Sequence, residues 1–227
     1  MKKLLFGIFA HPDDEAFGPS GYLYQAAQSG VDVHLIVITD GEAGHNENIK
    51  NLAKVRLSEY KESCKRIGTK SEYALHYPDG ELGNNLYFEI AQKLSNHIEH
   101  TVKNYTEDLE IELLTYETRG ITGHLDHIAV SYMTTFVYEN LKKSTPKNIV
   151  LGKLRYYCLP KEIVKECNCD WVYMPCGCNS DEIDERVSFK NVLEQRLHIM
   201  RAHESQKNDM KEVLKLNIDA DHFIFYS

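Results

Sequence analysis

The chain has 227 residues, 42% hydrophobic and 26% charged, with a formal net charge of −8. That length suits one large α/β domain, or a domain with a modest C-terminal extension, and the composition is ordinary for a soluble globular protein. The acidic balance and the lack of a basic block exclude nucleic acid and anionic membranes as main partners, and no stretch approaches the ~20 apolar residues of a bilayer span.

The opening segment, MKKLLFGIFA, faintly imitates a signal peptide. Its apolar core is only about seven residues, at the bottom of the range for such signals. Cleavage after Ala10 would also leave His11 at a free terminus. Residues 4–10 therefore read as a buried parallel strand, and the protein as intracellular, in the cytoplasm.

Beyond it, strand and helix patterns alternate, which predicts a mainly parallel sheet covered on both faces. Residues 16–29 read as a helix ending at Gly30, 31–39 as a β-branched strand, and 40–44 as a glycine-punctuated loop. A long amphipathic helix follows over 46–67, stopped by Gly68, then a short strand over 72–76. Tyr77-Pro78-Asp79-Gly80 has the chemistry of a turn. A helix over 86–104, a strand over 109–116, a loop over 117–123 and a helix over 124–141 complete the regular part. Past Pro146 the pattern weakens: 153–159 reads as a strand, 167–183 as irregular and cysteine-dense, 187–203 as a helix and 223–226 as a terminal strand. The expected architecture is a Rossmann-like three-layer sandwich with a small irregular C-terminal extension. We expect one domain over 1–227, its core and site in 1–145 and a pocket-shaping part in 146–227.

The first strand ends in His11-Pro12-Asp13-Asp14-Glu15. An imidazole and three carboxylates beside a buried strand need a partner charge, since uncompensated buried charge is costly. Strand ends at the carboxyl edge of open α/β sheets are also where ligands bind. A second cluster, His124-Leu125-Asp126-His127, follows the apolar strand over 109–116. Its two histidines are three apart, so on a helix they share a face. Both clusters open on the same edge of a parallel sheet and can meet there. Histidine nitrogens and carboxylate oxygens are ligands for zinc and similar metals, and a catalytic site keeps one position for water. Each motif has a plainer reading: an isolated HxxH is usually solvated or helix-capping, whereas HPDDE at a strand end is much rarer by chance.

Together with Arg56 and Glu59 on the long helix, Tyr77-Pro78-Asp79-Gly80, and Ala202-His203-Glu204-Ser205-Gln206, these motifs resemble the PIG-L (LmbE-like) family of metal-dependent N-deacetylases over residues 3–206. The resemblance implies His11, Asp14 and His127 as metal ligands and Asp13 as general base. It implies His124 as oxyanion stabiliser or acid, Asp126 as its orienting partner, and Arg56 as a substrate-binding residue, although a surface arginine is the default on so charged a helix. The implied reaction removes an N-acetyl group from an N-acetylglucosamine-type sugar in a small conjugate, with Zn2+ as default metal and Fe2+ fitting the same ligands. An amidase for a larger acyl or thiol-conjugate group and a non-catalytic metal-containing sugar-binding protein are the alternatives. A phosphoesterase is disfavoured because no phosphate-binding loop occurs. Glu15 is expected to start a helix, His34 to pack inside its strand, His45 to be solvated, and His203 to support structure. Cys167, Cys169, Cys176 and Cys178 are expected as free thiols, with a second metal or disulfides as alternatives. Symmetric self-assembly is common, so a homo-oligomer is compatible with the sequence.

Overall fold

A computed structural model describes residues 1–44, 49–165 and 177–227. In chain order the elements are β1 (Lys2–Phe9), α1 (Asp14–Phe17), α2 (Ser20–Gln28), β2 (Asp32–Thr39), α3 (Leu52–Ile67), β3 (Ser71–Tyr77), α4 (Asn84–Val102), β4 (Leu109–Tyr116), α5 (Gly120–Gly123), α6 (Leu125–Ser144), β5 (Ile149–Cys158), α7 (Lys161–Lys165), β6 (Glu185–Ser188), α8 (Leu193–Met200), α9 (Lys207–Lys215) and β7 (Ala220–Phe225).

The strands form one sheet in the order β3-β2-β1-β4-β5-β7-β6. The first five are parallel, and β7 runs antiparallel to both β5 and β6. Alternation along β1 explains the layering, because successive side chains point to opposite faces. Leu4, Phe6 and Ile8 pack with Ile90 and Leu94 of α4 and Met133 and Val137 of α6. Leu5 and Phe9 pack on the other face with Leu23 of α2, Tyr60 and Cys64 of α3, and Ile199 of α8. Gly7 has no side chain because a Cβ there would lie 2.6 Å from Leu35 Cδ2. With both faces covered, the central strands read as continuous apolar runs.

Several element boundaries differ from expectation, each for a physical reason. The helix expected over 16–29 is two helices, since Pro19 cannot donate a backbone hydrogen bond and Gly18 closes α1 by donating to the Asp14 carbonyl. The helix expected from residue 46 starts at Leu52, after Asn51 in the left-handed region. The helix expected over 187–203 is shorter: Val187 lies in β6, and α8 begins at Leu193. The C-terminal extension is more regular than expected: the expected terminal strand is β7, and β6 and α9 are added to it.

The order of the parallel strands reverses at β1, whose neighbours are β2 and β4. The connections therefore leave to opposite sides there, opening a crevice at the carboxyl edge. Among the described residues no helix is long and apolar enough to cross a membrane.

Candidate metal centre

The crevice receives the end of β1, the end of β4 with the start of α6, and the turn after β3. His11 and Asp14 come from the first, His124, Asp126 and His127 from the second, and Asp79 from the third. Asp14 folds back on the strand end, its Oδ2 accepting the backbone N–H groups of Ala10 (3.1 Å) and His11 (2.9 Å).

His11 and His127 each have one ring nitrogen committed to a protein acceptor. His127 donates Nδ1–H to the Gly120 carbonyl (3.1 Å), which leaves the lone pair on Nε2. His11 Nε2 lies 3.0 Å from Asp79 Oδ1 and 3.3 Å from Asp126 Oδ2, so its proton sits there and Nδ1 carries the lone pair. These carboxylates are themselves held in place. Asp126 accepts from the backbone N–H of Gly80 (2.8 Å) and Leu82 (3.2 Å), and Asp79 from that of Ala43 (3.1 Å).

The two free lone pairs then face each other, 3.1 Å apart. Asp14 completes the convergence, with one oxygen 3.6 Å from His11 Nδ1 and the other 3.2 Å from His127 Nε2. Two imidazole nitrogens and both Asp14 oxygens thus converge, an arrangement that a shared proton or a metal ion would stabilise. Ligand bonds of 2.0–2.1 Å in a tetrahedron put ligand atoms roughly 3.3 Å apart, which matches. The carboxylate and carbonyl partners behind the histidines are the usual means of orienting metal-binding imidazoles.

The electrostatics agree. Burial works against a charged His11, but Asp126, Asp14 and Asp79 outweigh it and raise its pKa well above the usual value. Burial likewise opposes ionisation of Asp14, yet the His127 and His11 imidazoles hold its carboxyl well below the usual range. The pocket favours a positive charge where the lone pairs meet. By mutual separation of ligand atoms within 4.8 Å, two groupings around His11 could hold an ion: His11, His124 and His127, and His11, Asp79 and Asp126. In the second, as for Asp14, the carboxylates also accept backbone N–H groups.

Asp13 is buried beside this cluster. Its φ of 124° lies outside the ordinary regions for a side-chain-bearing residue, so its surroundings must hold it there. Arg56 is one restraint. Its Nη2–H donates to Asp13 Oδ2 (2.8 Å) and to the Pro12 carbonyl (2.7 Å), and its Nη1–H to the Gly41 carbonyl (2.8 Å). Burial pushes the Asp13 carboxyl up to about 6 against the pull of Arg56.

His124 stands at the mouth, half-buried, stacked on His127 with ring centres 4.8 Å apart. Its Nδ1 accepts the Asp126 backbone N–H (3.2 Å), capping α6, so Nε2 carries the hydrogen. Burial, helped by the neighbouring imidazoles, lowers its pKa to about 4 and keeps it neutral near pH 7.

The structure thus gathers His11, Asp13, Asp14, His124, Asp126 and His127 in one crevice, with two differences from expectation. The Asp126 carboxylate meets His11, and only its backbone meets His124. Arg56 is 4% exposed and engaged with protein acceptors. Two residues outside the expected set belong here. Asp79 could have been found from its place in a turn closing a strand at the same sheet edge. Glu15 is fully buried and accepts the Asp13 backbone N–H at 3.1 Å. The loop after β2 reaches the site through Gly41 and Ala43. His34 packs as expected, stacked on Phe6. His45, Cys167, Cys169 and Cys176 lie outside the described residues. Cys178 is a buried free thiol whose Sγ accepts from Arg119 Nη2 (2.9 Å).

Comparison with known proteins gives the same region. A model of the PIG-L family, described as GlcNAc-PI de-N-acetylase, matches residues 6–138. A 1D-myo-inositol 2-acetamido-2-deoxy-alpha-D-glucopyranoside deacetylase from Corynebacterium diphtheriae is 27% identical over 59% of this chain and 52% of its own length. The diacetylchitobiose deacetylase of Thermococcus kodakarensis is 26% identical over 91% of this chain and 70% of its own. Among solved structures, N,N'-diacetylchitobiose deacetylase from Pyrococcus horikoshii superposes with a TM-score of 0.69 at 20% identity, covering 99% of this chain and 84% of that one. The 4-carboxy-2-hydroxymuconate hydratase of Pseudomonas putida also reaches 0.69, at 13% identity, over 100% and 97% of the two chains. A shared fold therefore does not specify the reaction, and the site residues must carry that argument.

Proposed function

The chain belongs to the PIG-L (GlcNAc-PI de-N-acetylase) family, and we propose on that premise that it hydrolyses the N-acetyl amide of an N-acetylglucosamine-type sugar in a small conjugate. The observation that carries this reading is the convergence of His11 Nδ1, His127 Nε2 and the Asp14 carboxylate, with a restrained carboxylate adjacent in sequence.

His11, Asp14 and His127 would hold one metal ion, with zinc as the default and Fe2+ chemically compatible. When bound, such an ion polarises a carbonyl and lowers the pKa of water toward neutrality. The remaining work falls to the protein. Amide hydrolysis needs a proton acceptor for the attacking water, stabilisation of the carbonyl oxygen as it becomes negative, and a proton for the departing amine.

Asp13 is the acceptor and returns the proton to the nitrogen. Arg56 fixes the carboxylate through Oδ2 and so acts as a positioning residue. His124 presents Nε2–H at the mouth, where a donor would meet the developing oxyanion. Asp126 and Asp79 keep His11 in the tautomer that offers Nδ1.

The test is acetate release from a panel of N-acetylglucosamine conjugates, with and without a chelator. Release that chelation abolishes and zinc restores is the expected result. No release from any conjugate by metal-loaded protein would refute the proposal.

A further inference from the structure

Helix α3 aims three polar side chains along one face. Arg56, Glu59 and Ser63 are spaced i, i+3 and i+7, so they stack on the same side of the helix. Arg56 holds the Asp13 carboxylate. Ser63 donates Oγ–H to Glu15 Oε1 (2.5 Å). Glu59 accepts from both the backbone N–H (2.8 Å) and the hydroxyl (2.6 Å) of Ser205, which fixes the segment just after His203.

His203 in turn donates Nε2–H to the same Oε1 of Glu15 (2.8 Å). The other oxygen of Glu15 accepts the backbone N–H of Asp13. His203 and Glu15 are both buried, and Phe17 covers the imidazole edge-on at 5.8 Å. A buried carboxylate–imidazole pair is costly to desolvate, and an apolar pair of similar volume often stabilises a fold as well. What an apolar pair could not do is hold the N–H of a residue at φ 124°.

We propose that Glu15 and His203 are positioning residues, a brace that holds the backbone of Asp13 in the conformation its proton-transfer role requires. The inference rests on the reading of Asp13 given above. It also gives the C-terminal part a role in the reaction, since His203 lies beyond the residues 6–138 matched by the family model.

Two measurements on the full-length protein test it. The first is amide hydrogen exchange of Asp13 in the metal-free protein, for wild type, His203→Ala and His203→Gln. Exchange should be about tenfold faster in His203→Ala and near wild type in His203→Gln, which keeps a donor, while amides of the central strands are unchanged. The second is turnover of the metal-loaded enzyme. In His203→Ala kcat should fall about 10–100-fold at unchanged KM and metal content, with rescue in His203→Gln. In an Asp13→Asn background His203→Ala should add no further loss, because the brace acts through Asp13. Should His203→Ala fail to fold, Ser63→Ala removes a donor from the same Oε1, and both effects should appear in weaker form. Unchanged Asp13 exchange, or unchanged kcat in an active enzyme, in the folded variants would overturn the proposal. Absence of acetate release by wild type, with Asp13 exchange still dependent on His203, would reject the deacetylase reading and leave the brace standing.

Discussion

Asp13 and Asp14 are neighbours in sequence but face different surroundings. Asp14 returns onto its own strand end and meets two imidazoles; Asp13 turns to a guanidinium. If the proposed division of roles holds, Asp13→Asn keeps its metal, measured by elemental analysis, and loses about 10²–10⁴ in kcat. His127→Ala and Asp14→Ala should instead lose the metal. His124→Ala should bind metal normally and lose about 10²–10³ in kcat, the cost of one oxyanion donor. Much of this cluster is legible in sequence, because HPDDE and HLDH carry ligand types at strand ends. The role of Arg56 is not. A charged helix looks like a solvated face, and only the buried acceptors of Pro12, Asp13 and Gly41 distinguish this arginine from a surface one. Asp126 was legible as an orienting residue but its partner was not, since His11 is remote in sequence.

Elements hold these residues through their ends. Gly120 supplies the carbonyl that orients His127, at a φ of +69°, and a Cβ there would lie 2.9 Å from the His127 Cβ. Gly120→Ala is both strained and crowded, so it should weaken metal affinity far more than it lowers the melting temperature. At the other end of the sheet's packing, Asp221 of β7 is buried and accepts the Tyr22 N–H (2.7 Å) near the start of α2. Burial pushes its carboxyl up to about 7, with Arg196 opposing. The unfolded carboxyl ionises near 3.8, so between these values the folded state binds the extra proton and stability falls as pH rises. Melting temperatures across that window should decline in wild type, and Asp221→Asn should remove this component of the slope. Strands β1, β2 and β4 were legible because buried parallel strands are predominantly apolar runs. The strand β6 was not, because its four residues alternate between half-buried and exposed and carry only one strong β-former, Val187. The break at Gly18-Pro19 was visible in sequence, and the helical periodicity of the flanking residues masked it.

At the scale of the whole molecule, strand order creates the site. The reversal at β1 brings the end of β1, the end of β4 and the β3 turn to one crevice, which no local segment could assemble alone. A ligand that binds only this assembled crevice must stabilise the fold. Metal at a thousandfold excess over its dissociation constant should add about 4 kcal/mol, read as a rise in melting temperature that is absent in His11→Ala. The role of Asp13 is tested by comparing acetate release by wild type and Asp13→Asn from the same N-acetylglucosamine conjugate at matched metal content. Release by wild type and nearly none by Asp13→Asn is the expected result. Equal rates for the two proteins would contradict it.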